Sequence, residues 1–195
     1  MPSRPQIAIA AHVVDASAVV TEVAPIVSGG ANKPRSKPLR NSLLHSPLPG
    51  GSVGGWMGDT GVDISARFKP VYAMAAGTLD YSEHGHTLWK YGHDTPNSVR
   101  IVLDVPIEYK WHKVTHLYYT HLSALENDKP QDSATVIHVE AGELIGVSGV
   151  ANGVPHLHLG LLLDSRVEQD TWDSLLLPPD VQKLMGDYKN GEVLP

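Results

Sequence analysis

His156 and His158 lie two residues apart in an apolar run, residues 155–163. If this run is a β-strand, both imidazoles point to the same face, because successive side chains alternate between the two faces. Two imidazoles on one face can hold a metal ion and move a proton together. Leu157 and Leu159 would then point the other way, into the core. The spacing therefore predicts a site carried on a rigid strand.

His121 is a third imidazole in a strand-like setting. Residues 114–122 favour a strand with Tyr119 and His121 on one face, and the pair Tyr118 and Tyr119 is expected to divide between core and groove wall. His116 lies five residues before His121, so a regular strand would turn it to the opposite face. An isolated histidine is more often structural or exposed than functional, which is our interpretation of His84, His86, His93, His112, His116 and His138.

Two aspartates lie upstream of these histidines. Asp59 and Asp63 are four residues apart in the stretch GDTGVDI, residues 58–64. Asp59 has a good explanation as a turn residue, because it stands in a Gly-Asp-Thr-Gly sequence. Asp63 lies in the short strand predicted at residues 62–65, although its Gly-Val-Asp context also allows a turn residue.

The elements that must position these side chains are short strands. The 18 glycines and 15 prolines favour many turns over long helices. Val99, Ile101, Leu103 and Val105 alternate along one predicted strand, and the only helix expected lies near residues 179–185. The fold class is therefore mainly β, an antiparallel sheet or sandwich with little helix. We predict strands at residues 62–65, 70–80, 98–105, 114–122, 135–139, 144–148 and 155–163.

Composition excludes several classes of protein. The chain has 195 residues, a net charge of −6 and scattered basic residues, which disfavours binding to nucleic acid or to an anionic membrane. No stretch reaches the roughly 18 apolar residues of a membrane span. The absence of cysteine rules out disulfides and thiolate ligands. His12 and Asp15 interrupt the apolar stretch at residues 7–20, so no clear signal peptide is predicted.

Three parts are predicted along the chain. Residues 1–55 combine an apolar arm with a linker rich in proline and glycine. Residues 56–165 contain the β pattern and the strongest site candidates. Residues 166–195 form a C-terminal extension with a possible short helix. The arm could add a strand to the fold or dock on another protein, so a protein partner is expected there.

Five motifs in order carry a resemblance to a known family. They are GDTGVDI (58–64), VYAMAAGTL (71–79), YTHLS (119–123), AGELIGVSG (141–149) and PHLH (155–158). Together they resemble the lysostaphin/LytM-type zinc metallopeptidases, which cleave peptides of bacterial peptidoglycan. The resemblance covers residues 58–163, and it implies a lysostaphin-like β domain of the duplicated hybrid motif type.

The resemblance also implies roles for individual residues. Asp63 and His158 match metal ligands, His156 matches the catalytic histidine, and His121 matches its partner. Asp59 stands where the family has its first ligand histidine. Three outcomes remain open for that position: Asp59 binds the metal itself, a histidine among His45, His84, His86 and His93 replaces it, or the metal is lost. Zinc is the implied ion, and an oxygen-rich site would also suit a harder ion such as Mn²⁺.

The implied function is a metal-dependent endopeptidase acting on stem or cross-bridge peptides of peptidoglycan, at the bacterial cell wall or in the periplasm. The alternative is a catalytically degenerate relative that serves as a structural or regulatory binding module, for example in a cell-wall or phage-tail-like assembly. Residues 81–96 and 106–113 look longer than a compact core needs. Such segments often control access to a groove, so both are expected to flank the site.

Overall fold

The structure, a computed structural model, describes residues 26–28, 35–39, 44–54, 60–87, 94–167, 175–185, 188–189 and 192–193. One helix, α1 (Pro178–Leu184), lies at the predicted place. The strands are β1 (Ile26–Ser28), β2 (Ser52–Gly54), β3 (Val62–Ser65), β4 (Pro70–Tyr72), β5 (Gly77–His84), β6 (Asn97–Tyr109), β7 (His112–Leu125), β8 (Val136–Val139), β9 (Leu144–Ala151), β10 (Val154–Leu163), β11 (Tyr188–Lys189) and β12 (Glu192–Val193).

Within the described residues, ten strands join in one sheet. The strand order is β1-β8-β5-β6-β7-β9-β10-β3-β2, with β4 beside β9 and a further pairing between β7 and β10. All pairings in this sheet are antiparallel except that of β1 with β8. The prediction of a mainly antiparallel β fold with little helix is confirmed.

The core lies on one face of this sheet, where apolar side chains alternate along each strand. β10 contributes Leu157, Leu159 and Leu161, and β3 contributes Val62 and Ile64, all fully buried. Burying one such side chain stabilises a fold by about 1.5–3 kcal/mol. The alternate positions include Asp63 of β3 and His156 and His158 of β10. Leu162, farther along β10, instead belongs to a second apolar cluster with Tyr81, Tyr118 and Leu175.

β6 departs from its predicted alternation at Val105. Val99, Ile101 and Leu103 are buried as expected, but Val105 is 77% exposed. The pairing of β6 with β7 shifts between residues 102 and 107, so a bulge interrupts the alternation before Val105. The prediction that all four side chains share the core face is therefore wrong for Val105.

Part of the predicted N-terminal segment packs against the main core. Leu39, Leu44 and Leu48 are buried in the same apolar cluster as the central strands, and β2 pairs with β3. The boundary at residue 55 remains a prediction. Among the residues that the structure describes, no helix is both long and apolar enough to cross a membrane.

Candidate metal and catalytic site

The site is organised around the polar face of β10. His156 and His158 alternate with the core-facing Leu157, as the sequence predicted. β10 lies between β3 and β7 at this point, and its register pairs His158 with Asp63 on one side and with Thr120 on the other. Paired residues of antiparallel strands point to the same face. The register therefore brings Asp63 and the two histidines together.

Asp63 and His158 are spaced as two ligands of one ion would be. Asp63 Oδ1 lies 3.0 Å from His158 Nδ1 and 3.7 Å from His156 Nε2. Two ligands bonded to a tetrahedral zinc ion lie roughly 3.3 Å apart. A carboxylate oxygen and an imidazole nitrogen are also suitable donors for zinc. These two residues therefore fit the predicted metal.

A third protein ligand does not occur among the described residues. Within those residues, no group of three His, Cys, Asp or Glu side chains could hold a metal ion. His45 and His84 accordingly do not complete the site, and neither does His86, which contacts Glu83 at 2.8 Å and stacks on a tyrosine ring. The first expected ligand, Asp59, and the fourth substitute, His93, lie outside the described residues.

His156 is oriented by its own backbone. Its Nδ1 lies 2.9 Å from the carbonyl oxygen of Val154, so Nδ1 carries the proton and donates this hydrogen bond. Its other ring nitrogen, Nε2, lies 3.7 Å from Asp63 Oδ1. In the neutral ring this nitrogen would be the proton acceptor, at the place where the predicted chemistry needs a base.

His121 reaches the site through an irregular backbone. Its φ angle is +62°, in the left-handed region that side chains other than glycine rarely adopt. Its ring centroid lies 5.0 Å from that of His156 and 6.2 Å from that of His158. Tyr119, two residues earlier, is fully buried in the core. The prediction that Tyr119 and His121 share a face is wrong, because the left-handed residue interrupts the alternation of β7.

The same irregularity changes the placement of His116. Positions 116, 118 and 120 of β7 share one face, and on that face Tyr118 contacts the ring of His158 edge-on, with centroids 6.3 Å apart. His116 and His121 are therefore on the same face, not on opposite faces as a regular strand predicts. The expected division of the tyrosine pair is confirmed: Tyr119 is in the core and Tyr118 is in the wall of the site.

Burial and neighbouring charges set the protonation of this cluster. Burial raises the pKa of Asp63, but the hydrogen bond from His158 and the nearby imidazoles outweigh that effect and leave its pKa below the usual value. Burial lowers the pKa of His121 to about 3, and repulsion from His158 and His156 acts in the same direction. Asp63 is therefore a carboxylate and His121 a neutral imidazole at neutral pH.

Three buried hydroxyls next to the site had no part in the sequence prediction. The Oγ1 atom of Thr120 lies 2.8 Å from Ser98 Oγ and 3.1 Å from Thr87 Oγ1. These three residues, here called the hydroxyl cluster, link β6 and β7 to the segment after β5. Thr120 immediately precedes His121 in β7. No periodic pattern connects the three positions, so only the register of the strands could reveal the cluster.

A small cavity opens beside the site. Its volume is about 220 Å³, which is small for a binding pocket. The lining includes the two site residues Asp63 and His156, together with short side chains and an amide: Ser65, Ala151, Asn152 and Val154. A group that enters this cavity approaches Asp63 and His156 directly.

Of the two long segments, the described end of residues 81–96 contacts the site, and residues 106–113 do not. Thr95, near the end of residues 81–96, bonds to the carbonyl oxygen of His121. Residues 106–113 form the β6–β7 hairpin instead, at the other end of β7, about 30 Å from His121 at 3.3 Å per residue. That hairpin packs near α1, where the Tyr109 hydroxyl donates to Asp180 at 2.5 Å. The prediction that residues 106–113 border the site is wrong.

Comparison with known proteins gives structural matches alone. No protein-family model matches the chain, and no curated protein matches it. The catalytic domain of the antimicrobial peptidase lysostaphin from Staphylococcus simulans is 22% identical, with a TM-score of 0.42, over 68% of this chain and 89% of that domain. A structure of the antimicrobial peptidase lysostaphin itself is 21% identical, with a TM-score of 0.49, over 77% of this chain and 59% of that chain.

A zinc-containing peptidase from Vibrio cholerae also matches. It is 16% identical, with a TM-score of 0.39, over 76% of this chain and 40% of that peptidase. The present chain therefore spans less than two thirds of the length of lysostaphin and of this peptidase.

The ring of His121 should stay neutral in metal-free protein down to about pH 4. Its folded pKa of about 3 lies below the unfolded value of about 6.5, so the stability it contributes is present above pH 6.5 and is lost as the pH falls. An NMR titration of the imidazole nitrogens after chelation of metals measures this directly. A His121 midpoint near pH 6.5 would show that the ring is hydrated and not buried.

Proposed function

We propose that this protein is a metal-dependent endopeptidase that cleaves peptide bonds in the stem or cross-bridge peptides of bacterial peptidoglycan. The observation that carries the proposal is the cross-strand pair of Asp63 and His158, 3.0 Å apart, with two further histidines beside it. The ordered motifs that resemble the lysostaphin/LytM-type family supply the reaction class and the substrate. We place its action at the bacterial cell wall or in the periplasm.

In this proposal the metal is held by Asp63, His158 and Asp59. A divalent ion supplies Lewis acidity, which polarises the scissile carbonyl and lowers the pKa of the attacking water. The carboxylate of Asp63 already carries the negative charge that such an ion needs, because its pKa is lowered. In the metal-free protein Asp63 accepts a hydrogen bond from His158, and a bound ion would take the place of the shared proton between these two atoms.

The two remaining histidines handle protons in this proposal. His156 Nε2 takes a proton from the attacking water, because its Nδ1 is fixed as the donor to the Val154 carbonyl. His121 is neutral and can offer an N–H to the oxygen of the scissile carbonyl as negative charge develops there. Both rings lie on the same face of the sheet, within 5.0 Å of each other between centroids.

The ligand set decides which ion suits the site. Two aspartates and one histidine would neutralise the formal charge of a divalent ion, which weakens it as a Lewis acid compared with a site that has more imidazoles. Oxygen-rich sites also shift preference toward harder ions such as Mn²⁺. We propose zinc as the ion, with manganese as the substitute that Asp59 favours.

Digestion of purified peptidoglycan tests the enzyme directly. The wild-type protein loaded with zinc or manganese should release new amino groups, because each cleaved peptide bond exposes one. The His156→Ala variant should lose on the order of 100-fold or more of this rate, as expected for removal of a general base. Amine labelling of the soluble and insoluble fractions measures the rate and identifies the bond.

His112→Ala is the matched control for digestion. His112 is at the far end of β7, where its ring pairs with Asp164 at 2.7 Å. It should retain the wild-type rate. Equal rates in wild type and His156→Ala would contradict the proposed role of His156, and no amine release by the loaded wild type would contradict the enzyme.

A second candidate function is a degenerate relative that binds a partner without cleaving it. The observation that favours it is the aspartate at position 59, where the resemblance expects a histidine. In that case the polar face of β10 would serve as a binding groove, and residues 1–55 would dock on a protein of a larger assembly. The digestion experiment separates the two candidates, because a binding module releases no amines.

The substitution Asp59→His should tighten zinc binding, because an imidazole replaces a carboxylate in a site that already contains Asp63 and His158. Competition with a chromophoric chelator measures the affinity. Asp132→His, which adds a histidine at an exposed position, is the control and should leave the affinity unchanged. An unchanged affinity in the position-59 variant would show that residue 59 is not a ligand.

A further inference from the structure

Thr95, in the segment after β5, contacts the backbone of His121. Its Oγ1 atom lies 2.7 Å from the carbonyl oxygen of His121 and 2.9 Å from the backbone nitrogen of Val150. The hydroxyl therefore donates its proton to His121 and accepts the N–H of Val150. The backbone N–H of Thr95 also donates to the Val150 carbonyl at 2.9 Å. Thr95 thus connects β7 with β9 at the irregular residue.

Thr95 contacts His121 at a backbone position whose conformation is unfavourable for a residue with a side chain. His121 has a φ angle of +62°, and a residue with a Cβ atom held there costs free energy that the surroundings must offset. A hydrogen bond to the His121 carbonyl fixes the orientation of the following peptide plane. That orientation determines on which side of β7 the ring emerges. Without the bond, an extended backbone would turn the ring toward the core side, where Tyr119 already is.

Gly149 gives Thr95 the space to reach this carbonyl. A Cβ atom on Gly149 would lie 2.0 Å from Thr95 Oγ1 and 2.5 Å from the His121 carbonyl oxygen. Neither distance is compatible with an atom in that position. Gly149 also pairs with His156 in the register of β9 and β10. The hydroxyl of Thr95 therefore lies between β7, which carries His121, and β9, which pairs with β10 at His156.

We propose that Thr95 is a positioning residue that holds His121 in its left-handed backbone conformation. It thereby keeps the His121 ring on the polar face of the sheet, beside His156 and His158. The proposal deepens the endopeptidase assignment and rests on it for its consequence in catalysis. Its structural part stands on the hydrogen bond to His121 and on the space provided by Gly149. Thr95 acts on the reaction only through His121.

The other end of the same segment provides a matched control. Thr87 belongs to the hydroxyl cluster, where its Oγ1 lies 3.1 Å from Thr120 and 3.3 Å from Ser98. No hydrogen bond of Thr87 reaches His121. Thr87→Val therefore loosens the attachment of the segment without removing the bond that supports the His121 backbone.

The experiment compares Thr95→Val, Thr95→Ser and Thr87→Val in the full chain. Valine keeps the shape of threonine but cannot donate, and serine restores the donor. For Thr95→Val we expect kcat on a soluble peptide with the susceptible bond to fall on the order of 100-fold with KM unchanged, as for a misplaced catalytic group. Thr95→Ser should recover most of the lost rate. Thr87→Val should lower the melting temperature with kcat within about twofold of wild type.

A second measurement keeps the test independent of activity. The backbone chemical shifts of His121 in metal-free protein report its φ angle, and they should leave the left-handed range in Thr95→Val but not in Thr95→Ser. Gly149→Ala should reproduce the Thr95→Val shifts, because it expels the hydroxyl. If the wild type cleaves no peptide, the endopeptidase assignment fails, whereas these shifts still decide the structural part. Unchanged shifts or an unchanged kcat in Thr95→Val would overturn the proposed role.

Discussion

The register of β10 against its neighbours is the constraint on which the site depends. Leu157, Leu159 and Leu161 are fully buried on one face, at about 1.5–3 kcal/mol of stabilisation for each. A slip of one residue would expose these leucines and turn His156 and His158 into the core. The hydrophobic core therefore fixes the register, and the register fixes the contact of His158 with Asp63. The burial of apolar side chains that stabilises the domain therefore also brings the site residues together.

A regular sheet positions only part of the constellation. Alternation is sufficient for Asp63, His156 and His158, because their strands are adjacent and in register. His121 needs a left-handed residue in β7, and that conformation is supported from outside the strand by Thr95. Strained backbone of this kind is found where function requires a geometry that regular structure does not provide. The site thus combines a rigid part that is fixed by packing with one residue held by a specific hydrogen bond.

The sequence predicted the parts that depend on local alternation. Most strands of residues 62–163, the helix near residues 179–185 and the common face of His156 and His158 follow from spacing along the chain. The prediction of one strand at residues 70–80 is wrong, because this stretch forms β4 and β5 with a break between them, and β2, β11 and β12 were not predicted. The face of His121 and the exposure of Val105 could not be predicted, because both follow from bulges, which arise from pairing between strands and leave no period in the sequence. The contact of Thr95 with His121 spans 26 residues and likewise has no local pattern.

The central claim is that Asp63 and His158 hold one divalent ion, and metal content tests it most directly. After incubation with zinc and gel filtration, elemental analysis should find about one ion per wild-type chain and a large loss in His158→Ala and Asp63→Ala. His138→Ala should keep the ion, because His138 lies on β8, where its ring contacts Asp104 at 2.7 Å and not the site. Absence of the ion from the wild type, or the same content in His158→Ala, would contradict the account.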